Sequence, residues 1–514
     1  MKKTLKRIAF VLPATLLFGC EPEFDDIEFN GGSADFSRTV AVGNSLTAGF
    51  QSNALRREKQ EVSFPAIVAQ QLRQVGGGEF TQPLMDPGVG LGSAGNAEFG
   101  LAFSTNCVGE TSLAPAPIAA QGQLDQLSPT TFVGADGPFN NVGVPGAKSY
   151  HLGADGYGNP TNVPLGTANP FYARFVNPAD LDETLIEAAL RNNPTFFMLW
   201  IGNNDVLGYA TSGGNGVNQT GNPDPATYGS NDITDPNAFA GVYQQLIGAL
   251  TANGAKGIVA NIPDVTNLPY FKVVPIGTDA VDQASADVLM NGVPSLSIPG
   301  YNDYNAALDG AVQISAAKGL GFSQADADAR KINFTGGQLN PFVVLDPSLA
   351  VFTDTAYTNV NPNLAGVQQW RQARPGEFMT LVTPGDSLLC AGWGTAKPIP
   401  ARFHLTAAEI DSINTATTAY NNTIKGIADG NPDIAFVDVA SILNQLNNVG
   451  LTYDGINFTG EFVSGGAFSM DGVHLSTRGY AIAANEFIDV INSYFNANVP
   501  KVSVGDYPNV EVTN

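Results

Sequence analysis

Five short apolar runs, separated by helical stretches, constrain the fold of this chain more than any other feature. They are rich in β-branched and aromatic residues and lie at 39–42, 139–142, 195–201, 257–262 and 434–439. Runs of this length, without polar alternation, are typical of strands that are buried on both faces. Because strands and helices alternate, the sequence predicts an α/β fold with a parallel central sheet and helices on both sides of it.

Capping signals and apolar stripes predict the helices. Asp235 followed by Pro236 predicts an N-cap and the first turn of a helix that continues to about residue 250. Thr406-Ala-Ala-Glu409 is a capping box and predicts a second helix, which ends near residue 427. Two further helices, near 181–189 and 476–495, are predicted from apolar stripes. The stripes are Leu181, Leu185, Ala188 and Ala189, and Tyr480, Ala484, Phe487, Ile488, Ile491 and Phe495.

Three long stretches, near 51–138, 206–234 and 264–400, interrupt this alternation. They are rich in Gly, Pro, Asn and Thr, and the third also contains a helical pattern around residues 301–318. Loops of this length inside a compact domain are usually functional. We therefore interpret them as insertions that wall a substrate cleft in a single domain over 38–497, which a C-terminal tail over 498–514 follows.

The first nineteen residues have the anatomy of a secretory signal peptide. Four positive charges precede an apolar stretch that ends at Phe18. Leu17-Phe-Gly-Cys20 resembles a bacterial lipoprotein processing box, which predicts lipidation of Cys20 and attachment to the cell envelope, at the outer membrane or cell surface. Ordinary secretion with cleavage nearby is the alternative. The acidic residues of 20–37 then predict a flexible tether between the anchor and the fold.

Charge and histidine content narrow the possible functions. The net charge is −23, and it becomes −27 without residues 1–19, because that segment carries four positive charges and no negative ones. A strongly negative field repels nucleic acid, so we expect no nucleic-acid partner. The chain has only three histidines, His151, His404 and His474, and no HExxH motif. We therefore expect no metal site.

Two cysteines remain besides Cys20. In an oxidising compartment Cys107 and Cys390 can form a disulfide bond that closes a very long loop. Two buried free thiols would look the same in the sequence, so both alternatives stay open.

Polar motifs follow the first three predicted strands. Gly43-Asn44-Ser45-Leu46 comes directly after the first strand, and Gly146 and Asn204 lie in Gly/Asn-rich turns after the second and third. The carboxyl ends of parallel strands form one edge of the sheet, where ligands bind in open α/β folds. Taken singly, Ser45 can be a helix N-cap and the two turns can be ordinary turns.

Asp471-Gly-Val-His474 supplies the residue types that would activate a serine. This spacing allows the Asp471 carboxylate to bond Nδ1 of His474 and leaves Nε2 to face a hydroxyl group. A backbone amide at Gly146 and the side-chain amide of Asn204 are the donor types that an oxyanion hole requires. His151 and His404 lack a partner motif and are predicted to be structural.

Together, in order and position, the four motifs resemble the sequence blocks of the GDSL, or SGNH, hydrolase family. The resemblance covers the core strands and helices, and it leaves the three insertions unexplained. It implies a three-layer α/β/α flavodoxin-like fold with Ser45 as nucleophile, His474 as general base and Asp471 as its orienter. It also implies an oxyanion hole formed by the N–H groups of Ser45 and Gly146 and by the Asn204 amide.

The resemblance implies a serine esterase or lipase that hydrolyses carboxylic esters through an acyl-enzyme, a mechanism that needs no metal or cofactor. Its substrate would be a small ester or an acylated glycan or lipid. Two alternatives remain open: a carbohydrate acetyl esterase, and a catalytically silent surface lipoprotein that binds glycans. Aromatic residues of the insertions are candidates to line an acyl pocket or to stack on sugars. These residues are Phe99, Phe103, Tyr270, Phe271 and Trp370.

Overall fold

A five-stranded parallel sheet forms the centre of the protein. The computed structural model describes residues 29–88, 90–92, 98–117, 132–296 and 299–508. The sheet strands are β1 (Thr39–Gly43), β2 (Asn141–Gly143), β3 (Phe196–Trp200), β4 (Lys256–Ala260) and β5 (Ile434–Val437). Their order across the sheet is β5-β4-β3-β1-β2, and every neighbouring pair is parallel. All five predicted strands are confirmed, and β2 begins two residues later than predicted.

The register brings the carboxyl ends of the three strands β1, β2 and β3 to the same level. Gly43 at the end of β1 pairs with Gly143 of β2 on one side and with Trp200 of β3 on the other. The segments that follow these strands therefore leave the sheet side by side at one edge, as the sequence predicts.

Apolar side chains bury both faces of the sheet. On one face the Trp200 ring contacts the rings of Phe64 and Phe487, with centroids 5.5 and 6.0 Å apart. Phe197, which lies on the same strand and points to the opposite face, is fully buried as well. Each large apolar side chain buried in this way contributes roughly 1.5–3 kcal/mol, so the sheet requires helices on both sides.

Eight helices within the described ranges cover the sheet or carry residues of the site. They are α1 (Ser45–Ala48), α2 (Phe64–Leu72), α3 (Leu185–Leu190), α4 (Asn204–Thr211), α5 (Pro236–Thr251), α6 (Ala407–Asp429), α7 (Val439–Asn448) and α8 (Thr477–Phe495). The caps predicted at Asp235 and Thr406 are present, and the predicted stripe of α8 is buried. None of the helices in the described residues combines the length and apolar character needed to cross a bilayer.

One predicted helix begins later than expected. The side chains of Thr184 and Glu187 form a capping box, so α3 begins at Leu185. Leu181 lies before this cap and is 36% exposed. Its assignment to the helix is therefore wrong, and the capping box marks the correct boundary.

Part of the first predicted insertion belongs to the core. Residues 64–72 form α2, whose Phe64 ring lies 4.7 Å from that of Phe487 on α8. The rest of 51–138 contains a helix at Arg57–Gln60, a short strand pair and a longer hairpin. The pair joins Ala54–Arg56 to Gly90–Gly92, and the hairpin joins Phe99–Thr105 to Thr111–Pro117.

The third insertion, 264–400, is folded and has three small apolar clusters of its own. The helix predicted around 301–318 is confirmed as Tyr301–Lys318. Shorter helices lie at Pro170–Ala173, outside the insertion, and within it at Gln283–Asn291, Gln324–Asp328, Thr355–Thr358 and Gly385–Leu389. The remaining antiparallel pairs are Gly277–Thr278 with Asn340–Pro341, Val343–Leu345 with Trp370–Gln372, Phe378–Met379 with His404–Leu405, and Leu451–Tyr453 with Ile456–Phe458.

The domain extends beyond the predicted limits at both ends. The Ser33 N–H donates to the Phe495 carbonyl at 2.8 Å, and Phe36 is 2% exposed. The prediction of a tether through residue 37 is therefore wrong for 29–37, because an apolar ring in this segment packs into the core. In the C-terminal tail, the backbone of Val502 forms two hydrogen bonds with the Asn485 side chain. The signal peptide, Cys20 and residues 20–28 lie outside the described residues.

Candidate active site

Ser45 stands at the first position of α1, directly after β1. The Asn44 side chain caps this helix by accepting the Leu46 N–H at 3.0 Å, and it also donates to the Asn203 side chain at 3.3 Å. A Cβ at Gly43 would lie only 2.2 Å from the Thr47 hydroxyl oxygen, so glycine is required there. The tight strand-to-helix turn thus fixes the position of the Ser45 hydroxyl. The Asn44 side chain stabilises this turn through its two hydrogen bonds.

The structure brings Ser45, His474 and Asp471 into one hydrogen-bonded series. The Ser45 hydroxyl oxygen lies 2.9 Å from Nε2 of His474, and Nδ1 of His474 lies 2.9 Å from the Asp471 carboxylate. The Phe50 ring packs against the imidazole with centroids 4.8 Å apart. Residues separated by more than four hundred positions in the sequence therefore have the order and spacing of a Ser–His–Asp triad.

Asp471 is held by four further donors. One carboxylate oxygen accepts the N–H groups of Val473 and His474 and the Ser469 hydroxyl, and the other accepts the Asn53 N–H at 2.8 Å. Burial alone would raise the pKa of Asp471, but the His474 charge and these hydrogen bonds hold it well below its usual range. The carboxylate therefore stays ionised throughout the neutral pH range.

The Asn53 contact depends on a turn that the sequence analysis missed. Ser52 and Asn53 both have positive φ angles, 51° and 65°, between the bridged residues Gln51 and Ala54. The Ser52 N–H donates to the Ser469 hydroxyl at 2.9 Å. Asparagine favours left-handed backbone, so Asn53 was a weak sequence signal for a turn. The contact with Asp471 is made by a backbone N–H, which every residue except proline carries, so the sequence could not predict it.

Gly146 and Asn204 lie on adjacent segments beside Ser45. Gly146 has a φ of 80°, in the turn that follows β2. Asn204 begins α4, and its Nδ2 donates to the Ala147 carbonyl at 2.9 Å. This bond orients the amide group, whose nitrogen carries a second N–H. Ser45, Gly146 and Asn204 all line one cleft, so the three predicted oxyanion donors share the space in front of the serine.

Buried charged residues, Asp205 and Lys148, hold the segment that follows Gly146. The fully buried Asp205 carboxylate accepts the Ser149 N–H at 2.8 Å and the Ser149 hydroxyl at 2.7 Å. Burial raises the pKa of Asp205, against the opposing effects of these bonds and of the Lys148 charge. Lys148 donates to the Asp232 carbonyl at 2.6 Å. Asp205 thereby ties the segment after β3 to the segment after β2.

The cleft has a volume of about 850 Å³, and residues of all three predicted insertions line it. Phe99 and Tyr270 are among the lining residues, as expected. Phe103 is instead 76% exposed, and Phe271 is buried against Phe378. Trp370 stacks on Tyr304 inside the third insertion. The prediction is therefore wrong for Phe271 and Trp370, because aromatic composition alone does not distinguish a cleft wall from a local core. Phe103 lies outside the lining of the cleft.

Cys107 and Cys390 form a disulfide bond that joins residues 283 positions apart. Cys107 lies in the turn of the hairpin Phe99–Thr105/Thr111–Pro117, whose strands contribute Phe99 and Leu113 to the cleft. The bond thus attaches one wall of the cleft covalently to the third insertion, and it resolves the two alternatives left open by the sequence.

The other two histidines form hydrogen bonds with residues outside the Ser45–His474–Asp471 series. Nε2 of His404, which is 1% exposed, lies 3.0 Å from the Glu377 carboxylate. Nδ1 of His151 accepts the Lys148 N–H at 3.0 Å, and the His151 ring stacks on Tyr157 with centroids 4.3 Å apart. These contacts match the structural role that the sequence predicts for both.

Protonation of His151 is expected to destabilise the fold. Burial, followed by the Lys148 charge, lowers the pKa of His151 from 6.5 to about 3. Below pH 6.5 the unfolded chain therefore binds a proton that the folded chain does not. The free energy of unfolding consequently decreases as the pH is lowered from 6.5 toward 3. In urea denaturation, the parent should lose about 2 kcal/mol more than His151→Phe between pH 7 and pH 5. Equal losses in both proteins would contradict this assignment.

No protein-family model matches the chain, and no curated protein matches its sequence.

Proposed function

We propose that this protein is a carboxylic ester hydrolase of the SGNH type that acts through an acyl-enzyme on Ser45. The proposal is carried by the series Ser45–His474–Asp471, with both contacts at 2.9 Å. A hydroxyl, an imidazole and a buried carboxylate in this arrangement have the geometry required to activate a serine nucleophile.

The strand order supports the same conclusion. The order 2-1-3-4-5 is that of flavodoxin-like doubly wound folds, in which ligands bind where the connections from β1 and β3 diverge. Ser45 follows β1 and Asn204 follows β3. We accordingly assign the domain to the three-layer α/β/α flavodoxin-like class.

The proposed reaction is acyl transfer in two stages. His474 takes the Ser45 proton while the oxygen attacks the ester carbonyl, and the tetrahedral oxyanion accepts hydrogen bonds from Ser45 N–H, Gly146 N–H and the Asn204 amide. The C–O bond to the alcohol then breaks, and His474 gives the proton to the leaving oxygen. Water, deprotonated by His474, attacks the acyl-enzyme and releases the acid, and the proton returns to Ser45. Asp471 holds the imidazole and stabilises its charged form.

A burst experiment tests this proposal on the unaltered protein. With a p-nitrophenyl ester whose deacylation is slow, the first turnover should release about one p-nitrophenol per active site before the steady rate begins. The acid product should appear without this burst. Absence of any hydrolysis across acetyl, butyryl and octanoyl esters would overturn the proposal and favour a silent binding protein.

The oxyanion role of Asn204 gives a separate prediction. Asn204→Ala should lower kcat by about 10² to 10³ with a much smaller change in KM, because the lost donor acts mainly on the developing charge. Asn302→Ala, on the exposed side of the helix Tyr301–Lys318, is the matched control and should retain full activity. An unchanged kcat in Asn204→Ala would exclude the role.

We also propose that the protein is exported and anchored to the cell envelope through lipidated Cys20, with the domain at the outer membrane or cell surface. The support is the processing box at 17–20. Metabolic labelling with a fatty-acid analogue should mark the parent, and Cys20→Ser should remain unlabelled.

A further inference from the structure

Two cavities of different character meet at Ser45. One is a wide cleft of about 850 Å³, and the other is a narrow channel of about 100 Å³. Ser45, Asn204 and His474 line both. Most residues that line the channel belong to core helices, and none belongs to the first insertion.

Two helices each line the channel with one stripe of residues. Both stripes have the i, i+3, i+4, i+7 spacing of a single helical face. On α7 the stripe is Val439, Ile442, Leu443 and Leu446, and on α8 it is Gly479, Ile482, Ala483 and Glu486. Seven residues of helix rise about 10 Å, so the channel follows α8 for about two turns away from His474.

Polar groups of the channel are concentrated at its Ser45 end. Val265, Leu268 and Phe468 complete the apolar wall. The exception is Glu486, whose carboxylate accepts a hydrogen bond from the Tyr453 hydroxyl. A sugar placed here would lose its hydrogen bonds to water without replacement, whereas an alkyl chain would not. The walls therefore suit an alkyl chain.

We infer, on the basis of the proposed esterase function, that this channel binds a short, unbranched acyl chain of an ester and that the wide cleft receives the alcohol. During turnover the acyl chain stays bonded to Ser45 after the alcohol has left, so it can occupy a narrow channel without obstructing the reaction. The departing alcohol and the incoming water require the open cleft. Acetyl esters leave the channel empty and are poor substrates.

A chain-length series on the unaltered protein tests this inference. With p-nitrophenyl acetate, butyrate, hexanoate and octanoate, kcat/KM should rise about fourfold for each methylene that enters the apolar channel. The rise should level off after the first few methylenes, because a volume of about 100 Å³ holds only about three groups the size of a water molecule. Branching next to the carbonyl should remove the gain. A second series of alkyl acetates, in which the alcohol carries the chain, should show little dependence on length. A flat acyl series, or a preference that follows the alcohol, would overturn the assignment.

Two substitutions in the channel should move the optimum in opposite directions. Ala483→Leu adds bulk beside α7 and should shift the best substrate to a shorter acyl chain, whereas Leu446→Ala enlarges the channel and should shift it to a longer one. Val273→Leu, at a residue that lines the wide cleft but not the channel, is the control and should preserve the acyl optimum. If either channel variant fails to fold, the other variant and the unaltered series still decide.

The outcomes separate the channel from the proposed function. A fluorophosphonate that labels Ser45, combined with a flat acyl series, would leave the esterase in place and refute the channel. Absence of both labelling and hydrolysis would refute the esterase itself.

Discussion

Ser45→Ala is expected to lower kcat for ester hydrolysis by about 10⁶. The substitution removes the hydroxyl oxygen that lies 2.9 Å from Nε2 of His474, and alanine offers no nucleophile in its place. The cap of α1 is formed by the Asn44 side chain, so the turn should keep its geometry. The measurement is the steady-state rate with a p-nitrophenyl ester, together with a thermal melting curve.

The control for this experiment is Ser493→Ala. Ser493 is exposed near the end of α8 and donates to the Val490 carbonyl, so its loss should leave both the rate and the melting temperature nearly unchanged. A Ser45→Ala protein that folds and retains more than a tenth of the parent rate would contradict the role of Ser45.

Asp471→Asn is expected to lower kcat by about 10⁴ while the fold is retained. An asparagine amide facing Nδ1 of His474 would donate where the carboxylate accepts, which places the imidazole proton on Nε2. The imidazole could then no longer take the proton of Ser45. Part of the loss also comes from the other donors, because the N–H groups of Val473, His474 and Asn53 all point at this carboxylate.

An exposed helix cap provides the control for the aspartate. Asp282 caps the helix Gln283–Asn291 through the Ser285 N–H, and Asp282→Asn should leave kcat within about twofold, since asparagine is also a good N-cap. If Asp471→Asn reduced activity no more than this, Asp471 would not be the orienting group.

The sheet was predictable because its strands carry their own signal. Each strand is a short apolar run buried on both faces, and such runs need no distant information. The helix α2 was missed because it lies in a stretch rich in Gly and Pro. Its burial depends on Phe487 of α8, more than four hundred residues away. The packing of Phe36 against the core was missed for the same reason, since its contact is with Phe196.

Placement of the triad residues was predictable because their motifs follow strand ends or precede α8. The supporting contacts were not. The Asn53 N–H bonds Asp471 through the backbone, and the sequence carries no mark of it. The channel depends on how far α7 and α8 stand apart, and an apolar helical stripe looks the same whether it faces a neighbour or a cavity.

Covalent labelling of the unaltered protein with a fluorophosphonate, followed by mapping of the modified peptide, tests the central claim most directly. We expect one adduct per chain, on Ser45, and none after Ser45→Ala. An adduct on a different serine, or a folded protein that takes up no label, would contradict the account.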